Sequence, residues 1–101
     1  YLDMPIQNNI FGSFNEVIIN RSVISATHRD YNNKSNISAL VLSLDNKLDV
    51  SYLGLPDLDI SIPMISGRSL LLFDLKNNRH SNNEIPSDKL DGRLSLVFYN
   101  K

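Results

Sequence analysis

The sequence predicts an all-β fold, either an antiparallel β-sandwich of the jelly-roll kind or a small β-barrel, with six to eight strands. Ala, Glu and Gln, which favour helices, occur two, two and one times among 101 residues, whereas Asn and Ser occur 13 times each. Asn and Ser side chains compete with helical backbone hydrogen bonds. Apolar and polar residues also alternate over several segments, and residues typical of turns separate these segments.

Periodicity and composition assign the strands in chain order. The N-terminal segment 4–14 is expected to form an edge strand. The next segment, 16–26, is expected to form one bent strand or two short ones, because it contains two apolar clusters separated by Asn20-Arg21-Ser22. Strict alternation predicts four further strands, and one segment with apolar residues on both faces predicts a central strand that is covered from both sides. The predicted strands cover residues 4–14, 16–26, 38–45, 47–53, 58–65, 68–75 and 93–99.

Turn residues between these segments predict how the strands connect. Asp45-Asn46 is a hairpin signal, because both residue types tolerate a positive φ. The segments 54–57 and 66–67 supply the next two turns. The regular spacing from residue 41 to residue 72 predicts an antiparallel meander, in which each strand pairs with the next. Pro63 cannot donate to a strand ladder, so its strand is expected at a sheet edge or at a bulge.

The alternation also predicts which side chains form the core. In the last strand, Leu94, Leu96 and Phe98 are expected to point inward and Arg93, Ser95, Val97 and Tyr99 outward. The residues predicted to be buried across the whole chain are Leu42, Leu44, Ile60, Ile62, Leu71, Leu96 and Phe98.

Length and charge restrict the class of protein. Residues 1–101 are expected to form a single β domain, and a first residue Tyr1 rather than Met favours a portion of a longer polypeptide, processed or trimmed. The net charge of -1 does not favour nucleic acid as a partner. The sequence has no Cys for disulfides or thiolate sites, and no apolar run long enough to span a bilayer.

No motif assigns a catalytic, cofactor-binding or metal-ligating residue. His28 and His80 lie in predicted loops, where solvated histidines are expected, and the chain has no G-x-S-x-G elbow. His28-Arg29-Asp30 resembles the catalytic loop of protein kinases only superficially, because the other kinase motifs are missing. The aspartates of Asp57-x-Asp59 and Asp88-x-x-Asp91 offer oxygen ligands for Ca²⁺, but turn formation accounts for them better.

The expected function is therefore a non-enzymatic one: a structural or receptor- or ligand-binding module of a larger assembly. A viral or phage surface protein or a microbial adhesin fits this description, with an extracellular or virion-surface location favoured. Val97 and Tyr99 are apolar on the predicted outer face and form a candidate interface with a protein partner or a second copy. The long polar loop 76–92 contains a candidate binding segment, which suits a glycan or a protein: Asn77, Asn78, Arg79 and His80.

Two alternatives from other classes remain open at this stage. One is a small hydrolase that uses His28 or His80. The other is an OB-like barrel that binds oligonucleotides through stacked aromatic side chains and neighbouring arginines. The residues available for that second role are Tyr31, Tyr52, Phe73 and Tyr99, with Arg68, Arg79 and Arg93.

Overall fold

The computed structural model describes residues 2–6, 14–42, 50–82, 89 and 92–101, and in this part the chain is mostly β. All strand pairs are antiparallel, and they form two sheets. The predicted antiparallel all-β class is therefore confirmed. The strands are β1 (Leu2–Pro5), β2 (Glu16–Arg21), β3 (Ile37–Leu42), β4 (Val50–Leu55), β5 (Ile60–Ile65), β6 (Leu70–Asp74) and β7 (Leu94–Tyr99).

The order of the strands differs from the predicted meander. The first sheet has five strands in the order β1-β2-β7-β3-β6, and the second pairs β4 with β5. The predicted pairing of β3 with β4 is wrong, because β3 lies between β6 and β7. Strand β3 is apolar on both faces, which suits a central position. The expected hairpin turn Asp45-Asn46 lies outside the described residues, and the strands that it would join belong to different sheets.

Strand β6 lies at the edge of the five-stranded sheet, so the prediction of a central strand is wrong. Its partner within the described part of the chain is β3. Leu71 and Phe73 pack against apolar residues of the second sheet. Leu70 and Leu72 point to the other face and are 49% and 56% exposed. The pattern identified two apolar faces correctly, but the described residues cover only one of them.

Apolar side chains pack on both faces of the five-stranded sheet. We call the first group the outer cluster; it includes Phe14, Val17, Ala39 and Phe98. The inner cluster joins the two sheets, because it packs Leu53 and Leu55 of β4 and Ile62 of β5 against Leu40, Leu71, Phe73 and Val97. In the register, Ala39 lies opposite Phe98 and Leu40 lies opposite Val97. Alternate residues of β3 and β7 therefore enter different clusters.

Most of the predicted core is in place. Ile60 is the exception: it is 51% exposed, because β5 begins only after a 3₁₀-helix over Pro56–Leu58 and a left-handed Asp59 (φ 54°). Leu44 lies outside the described residues. The residues found buried or half-buried, as predicted, are Leu42, Ile62, Leu71, Leu96 and Phe98.

Two further expectations concern the second sheet and the membrane. In the part of the chain that the structure describes, β5 pairs with β4 alone, and Pro63 lies opposite Tyr52, so the edge position predicted from Pro63 is confirmed. Within the described ranges, no helix is long and apolar enough to cross a bilayer.

Leu55→Ala tests the inner cluster, with Ile60→Ala as the control. Leu55 is 1% exposed, so its truncation leaves a cavity and is expected to lower the free energy of unfolding by about 2–5 kcal/mol. Ile60 is half exposed, and its truncation is expected to cost less than about 1 kcal/mol. Urea unfolding followed by circular dichroism measures both values. Equal losses would contradict the described packing.

Candidate functional site

A cavity of about 320 Å³ lies between the two sheets. Ile18, Leu40 and Val97 of the five-stranded sheet and Leu53 and Met64 of the second sheet supply much of its apolar lining. The rest of the lining is largely polar and includes one arginine and two histidines. A cavity of this size falls within the range of small-molecule pockets, roughly 300–1,000 Å³.

Arg93, the residue before β7, lines this cavity and is only 7% exposed. Its guanidinium group donates to Ser51 Oγ over 3.3 Å. Among the described residues, its Nε has no hydrogen-bond partner, and no carboxylate forms an ion pair with the guanidinium group. Burial lowers the pKa of Arg93, because removal from water disfavours the charged form. The site therefore holds a buried cation with an unused donor.

The predicted outward face of β7 is in fact directed to this interior. Arg93 is buried at the start of the strand, and Ser95 and Tyr99 are 4% and 7% exposed. The alternation separated the two faces of β7 correctly, but both faces are covered, so the expectation that Arg93 and Ser95 face solvent is wrong. The sequence signal for an internal site was the presence of polar residues on a strand whose two faces are both buried.

Residues 23–30 and 80–82 form one side of the cavity, and backbone pairing holds Ser81 to β4 and His80 to His28. Ser81 exchanges two N–H···O bonds with Gly54, of 2.9 and 3.1 Å. A Cβ atom at position 54 would lie 3.1 Å from Ser81 Oγ, so glycine permits this close approach. The pairing extends the second sheet beyond β4 and brings position 80 to the cavity.

Three ionisable side chains converge at this side of the cavity. His28 and His80 form an antiparallel bridge, with backbone N–H···O bonds of 3.0 and 2.8 Å in the two directions, and their ring centroids are 4.4 Å apart. Asp30 Oδ1 lies 3.2 Å from His28 Nε2 and 3.5 Å from His80 Nε2. Alternation along an extended chain places residues 28 and 30 on one face, and cross-strand pairing adds His80.

The expectation of two solvated histidines is wrong for His80. The His28 side chain is 45% exposed, but His80 is only 6% exposed. Burial by itself lowers the pKa of His80, but the hydrogen bonds to the Asp30 side chain and the Asn78 carbonyl, with the negative charge of Asp30, raise it further than burial lowers it. The net pKa of His80 lies above its ordinary value.

Most of the candidate binding segment serves the turn after β6. Asn77 donates to the Asp74 carboxylate from its backbone N–H and from its side chain, both over 2.9 Å. The side chain of Asn78 donates to the Asp74 carbonyl over 3.0 Å. Of the four residues predicted to bind, the one that lines the large cavity is His80.

Arg79, Asp57 and Asp59 have structural roles, and the other two candidate calcium ligands lie outside the described residues. The Arg79 guanidinium forms a bidentate ion pair with the Asp57 carboxylate, and this pair holds the pKa of Asp57 below its ordinary value. Asp59 ends the 3₁₀-helix in a left-handed conformation. Asp88 and Asp91 lie outside the described residues.

The candidate interface residues are covered by the same chain. Val97 packs against the inner cluster, and Tyr99 is 7% exposed, with its hydroxyl donating to Asp3 Oδ2 over 2.6 Å. The sequence predicted that both residues need cover. Val97 is covered by the inner cluster, and Tyr99 is buried with its hydroxyl bound to β1. An interface at these two residues stays a prediction.

The comparisons with known proteins add no functional information. No protein-family model matches the chain, and neither the curated proteins nor the solved structures contain a match. The function therefore has to be argued from the site itself.

Asn77→Ala tests the turn after β6, with Asn78→Ala as the control. The pKa of Asp74 lies below its ordinary value, chiefly because the Asn77 side chain donates to its carboxylate. Asn77→Ala is expected to raise this pKa toward about 3.9, whereas Asn78→Ala, which removes a bond to the carbonyl, leaves it lower. NMR titration of the Asp74 carboxyl carbon measures both.

The same substitution is expected to change the pH dependence of stability. Because the native pKa of Asp74 is lowered, its hydrogen bonds stabilise the fold above the unfolded-state pKa, and this stabilisation disappears as pH falls through the native pKa. Asn77→Ala should therefore reduce the free energy of unfolding at pH 7 more than at pH 2. An unchanged Asp74 titration would contradict this role of Asn77.

Proposed function

We propose that the chain is a non-enzymatic binding module that holds a small ligand between the two sheets of a β-sandwich. The ligand has an apolar body and one anionic group, such as a carboxylate. The observation that carries this proposal is Arg93, a buried cation that lines the cavity and has an unpartnered Nε among the described residues. A carboxylate or phosphate group would accept from that donor and offset the buried charge.

The other walls of the cavity support the apolar part of the ligand. The five-stranded sheet contributes Ile18, Leu40 and Val97, and the second sheet contributes Leu53 and Met64. An apolar body between these side chains removes further apolar surface from water, which contributes about 25 cal/mol per Å². A charged end against Arg93 and an apolar end against the sheets together describe a short-chain carboxylate.

The arrangement of the histidines favours binding over hydrolysis. Nδ1 of His28 lies 2.7 Å from the Ala26 carbonyl oxygen, and Nδ1 of His80 lies 2.9 Å from the Asn78 carbonyl oxygen. The Nε2 atoms of both rings face Asp30. Each ring nitrogen of the two histidines thus has a carbonyl or carboxylate partner, whereas a hydrolase directs one ring nitrogen of its base at the nucleophile.

The oligonucleotide-binding alternative has less support. Tyr99 is buried and Phe73 packs against the inner cluster, so these two rings do not join Tyr31 and Tyr52 on one exposed stacking surface. Arg79, which would contact the phosphate backbone, is paired with an aspartate.

Hexanoate and hexanol, which share an alkyl chain and differ in charge, test the proposed ligand. In NMR titrations the chain is expected to bind hexanoate at least tenfold more tightly than hexanol, with shifts at Val97 and Leu53. Arg93→Met is expected to remove this preference and to leave the fold at least as stable, because a buried unpaired charge is replaced by an apolar chain of similar length. Arg68→Met, at an exposed arginine, is the control and should keep the preference.

Three results would overturn the proposal. They are the absence of saturable hexanoate binding, equal affinity for hexanoate and hexanol, and an equal effect of Arg68→Met and Arg93→Met. Chemical-shift changes confined to residues outside the cavity would also exclude this site.

A second candidate function, self-association, follows from the edge of β6. Leu70 and Leu72 are about half exposed, and residues 70–73 carry no charge that would discourage edge-to-edge pairing. A second copy of this chain fits this edge, because an antiparallel β6–β6 pair centred on Leu71 brings Arg68 of one copy near Asp74 of the other. This candidate retains the expectation of a larger assembly, but places its contact at β6.

Light scattering over a range of concentrations tests self-association. The chain is expected to form a dimer, and Leu72→Lys is expected to restore the mass of one chain, 11.4 kDa, because it places a charge at the contact. Leu58→Lys, at a leucine of similar exposure (51%) on the 3₁₀-helix, should leave the dimer intact. A monomer at millimolar concentration would exclude this candidate and leave the cavity proposal untouched.

A further inference from the structure

Three electron-pair donor atoms from separate positions of the chain face one another beside the cavity. They come from His28, His80 and Asp30, and one ring nitrogen of each histidine and a carboxylate oxygen of the aspartate lie within 4.8 Å of one another. The Asp30 oxygen is 3.2 Å from His28 Nε2 and 3.5 Å from His80 Nε2. Ligand atoms placed about 2.0–2.1 Å from a tetrahedral metal ion are themselves roughly 3.3 Å apart, and the two separations from Asp30 are close to this value.

Hydrogen bonds to the backbone determine which nitrogen of each ring is available. The partners of the two Nδ1 atoms are carbonyl oxygens, of Ala26 at 2.7 Å and of Asn78 at 2.9 Å. A carbonyl oxygen only accepts, so each Nδ1 carries the hydrogen and donates it. In the neutral rings, both Nε2 atoms are then bare acceptors directed at a carboxylate. The three acceptors need a positive charge among them, and either a proton on a ring Nε2 or a metal ion held by all three supplies it.

The same hydrogen bonds are those found around metal-binding histidines. A histidine that ligates a metal commonly donates its other ring N–H to a carbonyl or carboxylate, which orients the ring and fixes its tautomer. Both His28 and His80 have this arrangement. Their backbones are held together by two reciprocal hydrogen bonds, so the ligands are positioned by the fold before any ion arrives.

We propose that His28, Asp30 and His80 form a mononuclear site for a divalent transition-metal ion of the zinc class. Two imidazoles and one carboxylate suit zinc and its neighbours, whereas Ca²⁺ and Mg²⁺ prefer sets made of oxygen ligands. Three protein ligands leave the fourth tetrahedral position for water or for a ligand group. Since all three residues line the cavity, that position is accessible from the cavity.

The site rests on residues other than those of the ligand proposal. Arg93 carries the proposed anion site, and none of the three metal ligands is needed for it. A bound divalent ion would nevertheless add positive charge beside the same cavity, so the two sites favour ligands of the same sign. The experiment below separates them, because zinc binding is measured without any organic ligand.

Zinc chloride is titrated into the full 101-residue chain by isothermal calorimetry. One ion per chain is expected to bind, and bound zinc is expected to raise the melting temperature, because it binds the folded chain selectively. Loss of an outer-shell partner alone weakens metal binding about 10–100-fold. His28→Ala and Asp30→Asn, which each remove a direct ligand, are therefore expected to lower zinc affinity at least about 100-fold.

Two controls make the result specific. Asp59→Asn removes the same charge as Asp30→Asn at an exposed turn position whose left-handed conformation suits Asn, and it should keep full zinc affinity. Arg93→Met should also keep it, even where it loses hexanoate. Circular dichroism establishes that the His28 and Asp30 variants, whose side chains are 45% and 23% exposed, remain folded.

Long-range ¹H–¹⁵N NMR of the imidazole rings provides a readout of the ligating atom. Zinc is expected to shift the Nε2 resonances of His28 and His80, while each Nδ1 keeps its hydrogen. The proposal is overturned if no saturable zinc binding occurs, if binding persists in both folded ligand variants, or if the ion binds through Nδ1. Loss of zinc binding in Asp59→Asn to the same extent would also overturn it.

Discussion

The antiparallel pairing of β3 with β7 is the contact on which the rest of the molecule depends. Ala39 opposite Phe98 and Leu40 opposite Val97 alternate along this pair, so neighbouring residues belong to opposite faces, and both faces are apolar. Such a pair must be covered twice. Phe14 and Val17 contribute to the outer cluster, and β4 and β5 cover the inner face. The separation of the second sheet from the first follows from this need.

Apolar side chains fill only part of the inner face, and the cavity lies beside the remaining part. Toward the start of β7, Arg93 and Ser95 are buried beside Asn20 and Ser51 in the wall of the cavity. These polar groups cannot pack as densely or as favourably as the leucines of the inner cluster. An interior that keeps a cation and hydroxyl groups in place of apolar packing loses stability, and the proposed ligand binding would account for this loss.

One small contact connects the cavity to the histidine cluster. Ser81 pairs with Gly54 of β4, and the adjacent His80 pairs with His28, so that a single short segment bridges the second sheet and the 23–30 segment. A side chain at position 54 would crowd the Ser81 hydroxyl. The absence of a Cβ atom at Gly54 thus leaves room for the Ser81 hydroxyl in this pairing.

Local residue order determined the class of the fold, the positions of the strands and the two faces of each strand. Period-two alternation is a property of neighbouring residues, and it located β3, β5 and β7 to within a few residues and separated Leu40 from Ala39 correctly. It also predicted that Val97 and Tyr99 need cover. Pro63 indicated an edge strand, because the missing N–H is itself a local property.

Only the tertiary structure decided which strands pair and which side chains meet. The predicted meander is wrong, because β3 and β7 take central positions in the sheet, where both faces of each strand are buried. The stabilisation from this burial depends on residues far apart in the chain. His-x-Asp at 28–30 is visible in the sequence, but His80 joins it through backbone hydrogen bonds that any residue type can form. Arg93 followed the predicted alternation, yet the second sheet covers its face. Burial on that face is set by the packing of whole sheets, a long-range effect that local alternation does not record.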